Sequence, residues 1–140
     1  MGDNIIELDD MPVMPKATGK GNQVNSYALA AILRDSGVKM AYVETVHAMP
    51  GQGVTSMFSF GKAAGTIEGV LAGLEIPVTF VTPQAWKKPL GLLKKDKDVS
   101  RTLAIQLFPA LSEQLKRKKD GGRADALLIA RHGMSTPLQL

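Results

Sequence analysis

The sequence predicts an α/β layered domain, and three observations carry the prediction. Stretches of helical periodicity alternate with short apolar runs, the order in which sheets and covering helices are laid down. At 140 residues the chain is long enough to bury one core, so a single domain over residues 1–140 is expected. A hydrophobic fraction of 44% and a mean hydropathy near zero fit an ordinary globular protein.

Asn4-Ile5-Ile6-Glu7-Leu8 reads as a short strand that stops at Asp9-Asp10-Met11-Pro12. Residues 15–22 (PKATGKGN) read as a flexible loop by composition. Asn25 or Ser26 can cap a helix to about Asp35 or Ser36, with Leu29, Ile32 and Leu33 as its apolar stripe and Gly37 just past its end. Val38–Val43 reads as a buried strand that delivers Glu44 at its C-terminal end. After the loop Met49-Pro50-Gly51-Gln52-Gly53, Ser56 opens a long helix to about Leu74. Gly61, Gly65, Gly69 and Gly73 recur along it every fourth residue. Each costs roughly 1 kcal/mol relative to Ala, so close packing of that face on a sheet or a second subunit is expected.

Pro77–Val81 reads as a second buried strand and Pro83–Lys87 as a short helix or turn. Asp98 is the expected cap of a helix to Leu107, which Pro109 stops. A polar basic segment follows. Arg123–Arg131 reads as a last helix, introduced by Gly121-Gly122 and ended at Gly133. The strand count is low for a complete sheet.

There is no cysteine, which excludes disulfides, thiolate metal sites and cysteine nucleophiles. Any metal must therefore be held by oxygen or histidine ligands. No apolar run reaches membrane-spanning length, and the acidic stretch Met1–Asp10 lacks the features of a signal peptide. A cytoplasmic protein with no membrane partner is expected.

The formal net charge is +4, unevenly distributed. Residues 87–123 carry Lys87, Lys88, Lys94, Lys95, Lys97, Arg101, Lys116, Arg117, Lys118, Lys119 and Arg123 against Asp96, Asp98, Glu113 and Asp120, a net +7. The rest of the chain is net −3. Such a segment suits a polyanion, because each neutralised phosphate releases counterions. A solvated surface is the equal alternative on charge alone. Trp86 beside Lys87 and Lys88 could stack on a base, although a lone tryptophan is more often a core anchor.

Glu44 stands at the C-terminal end of an apolar strand, where open α/β sheets place their ligands. The bland alternative is a glutamate turned to solvent. Asp125 lies in the first turn of the last predicted helix, on the face of Leu128, Ile129 and His132. There it either serves a site or only complements the helix dipole. Asp120, five residues earlier, either caps that helix or turns toward the same site, and capping is the safer reading. Carboxylates converging beside a basic surface suit two magnesium ions (or manganese in their place), which prefer oxygen ligands and bridge to phosphate. Two such ions about 4 Å apart activate a water and stabilise the leaving oxygen of a phosphodiester. The glycine-lysine clusters do not follow a phosphate-loop order, and the serines form no nucleophile elbow.

Three motifs in order carry a resemblance over nearly the whole chain. They are Val43–Val54 with Ser56–Gly61, then Val81–Lys87, then Asp120–Ala130. Together they resemble phage and prophage RuvC-type crossover-junction endonucleases. The resemblance implies an RNase H-like mixed sheet flanked by helices, a homodimer and metal-dependent nicking of four-way (Holliday) junctions, in a bacterial host cell. It implies that Glu44 and Asp125 are catalytic metal ligands, with Asp120 the nearest acid to a third position that falls here on Gly122. It also implies that His47 meets the junction centre. DNA contacts are expected from Lys87, Lys88, Lys94, Lys95, Arg101, Lys116, Arg117, Lys118, Lys119 and Arg123. The family opens with a strand bearing a Gly-Ile-Asp-Pro-Gly type motif. This sequence starts at Met1-Gly2-Asp3-Asn4, so the first strand and its aspartate are expected to be missing. Three readings remain open: a junction endonuclease, a catalytically inactive DNA-binding or interaction domain of the same descent, or a non-functional reading-frame fragment.

Overall fold

Val13–Pro15 (β1) and Asn22–Val24 (β2) pair antiparallel as a hairpin, with Val13 opposite Val24. The computed structural model describes residues 6–45, 47 and 49–135. Of the loop expected at 15–22, residues 16–21 form the loop of this hairpin, and only Pro15 and Asn22 are taken into its strands. Gly19 and Gly21 take the left-handed φ values of +82° and +95° that turn the chain back, which few other residues adopt without strain. Of the strand expected at Asn4–Leu8, Asn4 and Ile5 lie outside the described residues. Ile6, Glu7 and Leu8 are not in a strand.

The described residues form two compact units. The first is Met11–Thr82. The second takes the described residues of Met1–Asp10 and Pro83–Leu140.

In the first unit, Ser26–Ser36 (α1) follows the hairpin. The Asn25 side chain accepts the Ala28 backbone N–H at 3.1 Å, and Gly37 ends the helix in the left-handed conformation. Of the expected apolar stripe, Leu29 is buried, Leu33 half-buried and Ile32 exposed. Ala41–Glu44 (β3) and Val78–Val81 (β4) pair in parallel, with Ala41 opposite Val78 and Glu44 opposite Val81. Parallel strands need a long crossover, and Val54–Gly73 (α2) supplies it. Both strands were expected to be buried. Instead β3 is half-buried, and in β4 only Val81 is buried while Phe80 is half exposed. Each has a single strand neighbour among the described residues.

Of the two packings expected for the glycines of α2, the one on a sheet of this chain is not found among the described residues. A Cβ placed on Gly61, Gly65, Gly69 or Gly73 would meet no atom within 4 Å. No described residue closes on those four positions.

The second unit is helical: Pro83–Lys87 (α3), Lys97–Leu107 (α4), Ser112–Leu115 (α5) and Gly121–Ser135 (α6), with 3-10 turns at Lys88–Leu90, Pro109–Leu111 and Lys118–Asp120. Trp86, Ala104, Leu115, Ala124 and Leu128 are fully buried. Alanines on α4 and α6 allow the two helices to pack closely. Trp86 is thus a core anchor and offers no face for a base. The cap of α4 is Asp96, not Asp98: its carboxylate accepts the Asp98 N–H at 3.0 Å. Asp98, inside the first turn, is instead held by Arg101. The last helix starts earlier and ends later than expected. The turn Lys118–Asp120 runs directly into it with Gly121 already helical (φ −57°, ψ −36°), and buried Gly133 lies within it. Among the described residues, no helix is long and apolar enough to cross a membrane.

Candidate functional site

Glu44 is the last residue of β3, and the ladder continues one step beyond it. The Thr45 N–H donates to the Val81 carbonyl at 2.8 Å, and its hydroxyl reaches the same oxygen at 3.4 Å. These bonds fix the end of the strand and therefore the place from which Glu44 projects. The half-buried carboxylate lines a cleft of about 130 Å³ shared with Thr45, Phe80 and Glu68. Glu68 comes from α2 and was not singled out by sequence reasoning. The available signal was its position as the lone acid in a 20-residue helix of small and apolar residues.

The cleft's two carboxylates are hard oxygen donors of the kind magnesium prefers. Among the described residues, neither unit by itself gathers three His, Asp or Glu side chains in a metal-holding group. Asp125 belongs to the second unit and Glu44 to the first. Asp125 is half-buried on α6, on the face that buries Leu128 and Ile129 and half-buries His132. The face expected from periodicity is therefore the inward one. Because the helix starts at Gly121, Asp125 falls past its first turn, where the dipole is weaker.

Asp120 is only 1% exposed, and its carboxylate is occupied. Arg117 donates to it from its backbone N–H at 2.9 Å, from Nε at 3.2 Å and from Nη2 at 3.0 Å. Arg123 Nη1 stands 3.8 Å away. The Arg117 guanidinium, with help from the backbone bond and Arg123, holds the carboxyl below the usual aspartate range against the opposing effect of burial. This is the capping arrangement, closing the 3-10 turn that leads into α6. A metal ion at Asp120 would have to displace a guanidinium.

The expected DNA contacts divide into two groups. Lys88, Lys94, Lys95, Lys116, Lys118 and Lys119 are exposed, as is His47, whose neighbours Val46 and Ala48 lie outside the described residues. Gly51 (φ +82°) and a Gln52-to-Met49 backbone bond of 3.2 Å shape the turn that follows His47. Lys87 is less exposed, and its ammonium sits 5.3 Å from the centre of the Trp86 ring.

Arg101 and Arg123 are mostly covered, whereas Arg117 is exposed and engages Asp120. Arg101 makes a two-pronged pair with Asp98 (2.8 and 2.9 Å) and donates to the carbonyls of Leu115 and Lys116 (3.1 and 2.9 Å). Arg123 makes a two-pronged pair with Asp10 (2.8 and 3.1 Å) and donates to the Gln114 carbonyl at 3.0 Å. Both guanidiniums are held more firmly protonated by these partners, and hydrogen bonds from the arginines hold Asp98 and Asp10 below the usual carboxylate range.

No protein-family model matches the chain. Over 113 residues it is 40% identical to a Chlamydomonas reinhardtii protein named Holliday junction resolvase MOC1, chloroplastic. The alignment takes in 76% of this chain and 13% of that protein, so the chain spans a small part of its curated relative.

Proposed function

We propose that the chain is a metal-dependent endonuclease that nicks four-way DNA junctions. The observation that carries this reading is the 40% identity over 113 residues to a protein named as a Holliday junction resolvase. The strand-end placement of Glu44 and the net +7 of residues 87–123 support it from within the chain. The reading assigns Glu44 and Asp125 as carboxylates that hold magnesium, the ion that would activate water and neutralise the leaving oxygen. It takes an RNase H-like arrangement, for which the parallel β3–α2–β4 crossover is the supporting piece. It takes a homodimer, for which the open glycine face of α2 and the exposed Val54 and Phe58 at its start offer a surface.

The test is a pair of single substitutions in the chain, Glu44→Gln and Asp125→Asn, assayed on a synthetic junction. Each should lose magnesium-dependent cleavage while still binding the junction. Retained cleavage in either would overturn that residue's assignment. Junction binding without cleavage by the unmodified chain would favour a DNA-binding module over an enzyme.

A further inference from the structure

The run Lys116-Arg117-Lys118-Lys119 places four cations side by side, and like charges resist being held together. Yet the backbone of residues 114–117, which leads into the run and includes its first two positions, is pinned by the side chains of Arg101, Asp120 and Arg123. The carbonyl of Gln114 accepts from Arg123, those of Leu115 and Lys116 accept from Arg101, and the N–H of Arg117 donates to Asp120. These carbonyls terminate the short helix α5 and have few helical partners of their own. The pinning groups are themselves fixed, Arg101 by Asp98 and Arg123 by Asp10, each through two hydrogen bonds.

Charge is matched one to one within this frame. Asp98 faces Arg101, Asp10 faces Arg123, and buried Asp120 faces Arg117. Left over at the surface are Lys118 and Lys119, with Lys116 in a pair to Glu113 whose side chains are 62% and 84% exposed. So exposed a pair is weak and readily exchanged for another anion.

We infer that Asp120 and Arg101 are positioning residues that hold Lys116, Lys118 and Lys119 as a preformed turn for the phosphodiester backbone of DNA. This deepens the junction-binding reading and rests on it. It also divides the basic segment by role: lysines contact phosphate, while Arg101, Arg117 and Arg123 brace the turn. The gain is lower ordering cost on binding, because residues 114–117 are already held and the Asp120 N–H closes the turn over Lys118 and Lys119 on the Arg117 carbonyl at 2.9 Å.

The experiment measures junction affinity without divalent metal, across a range of salt concentrations. It compares the unmodified chain with Asp120→Ala, Asp120→Asn, Arg101→Met and the double variant Lys118→Gln/Lys119→Gln. Circular dichroism confirms that each is folded. Asp120→Ala removes a negative charge from a DNA-binding surface, so charge alone would tighten binding. The positioning role requires the opposite, a loss of about five- to tenfold. Asp120→Asn keeps an acceptor for the Arg117 N–H and should recover part of that loss. Arg101→Met should weaken binding with an unchanged salt slope, whereas the double lysine variant should flatten the slope by roughly two units.

Equal or tighter binding by Asp120→Ala overturns the inference and leaves the nuclease reading standing. Should Asp120→Ala not fold, Asp120→Asn and Arg101→Met carry the test. Amide hydrogen exchange at residues 116–119 must then speed up in both, and unchanged exchange overturns the inference. No DNA binding by the unmodified chain overturns the junction reading and the lysine assignment together.

Discussion

Asp10 and Arg123, 113 residues apart in sequence, meet in a two-pronged ion pair at 2.8 and 3.1 Å. The pair ties the segment before the hairpin to the start of α6, the helix that carries Asp125. Arg123 is mostly covered and Asp10 mostly exposed, so loss of the carboxylate releases a guanidinium that is partly withdrawn from water. Asp10→Ala should lower the melting temperature by a few degrees, and Asp10→Asn by less. An unchanged melting curve for both would show that the pair only decorates the surface.

Acid should loosen the same region. The carboxyls of Asp10, Asp98 and Asp120 are all held below their ordinary value by arginine hydrogen bonds. A depressed folded value means that the stabilisation is complete above the unfolded pKa of about 3.9 and is lost as pH falls through the lower folded values. Thermal stability should therefore fall steeply below about pH 4. Replacement of Asp98 and Asp120 by Asn should flatten that fall in a melting series against pH. A fall of the same steepness in the double variant would contradict the assignment.

The core of the helical unit turns on Trp86, which has no exposed surface. Trp86→Ala should cost about 3–5 kcal/mol, measured by chemical denaturation. A loss under about 1 kcal/mol would mean that the pocket collapses to fill the space.

The glycine face of α2 gives a prediction of opposite sign. A Cβ at Gly65 has open space around it, so Gly65→Ala should stabilise the isolated chain by about 1 kcal/mol through helix propensity alone. Destabilisation, especially one that grows with protein concentration, would show that a second copy closes on this face.

Local signals in the sequence were read well where one residue governs one event. Asn25 and Gly37 bound α1 because a cap needs only a side-chain oxygen at one end and a left-handed residue at the other. The crossover helix and the strand ending at Glu44 were likewise legible from apolar spacing. The hairpin at Val13–Val24 was missed because its strands are three residues each, too short to show alternation, and its glycines read as a loop. The cap of α4 was misplaced by two residues because Asp96 and Asp98 are both capable caps, and only the Arg101 pair separates them. At the site, the position of Glu44 and the capping reading of Asp120 were legible, but the arginine partners of Asp120 were not. Two aspartates near a helix start look alike in sequence, and the arginines that engage one of them are revealed only by the packing of Arg117 and Arg123 around it.

Junction cleavage is tested most directly by nick mapping on an end-labelled synthetic four-way junction. A linear duplex of the same sequence runs beside it, each with magnesium and with chelator. Magnesium-dependent nicks are expected in the junction strands, few in the duplex and none with chelator. A folded chain that leaves the junction intact, or that cuts junction and duplex alike, would contradict the assignment as a junction endonuclease.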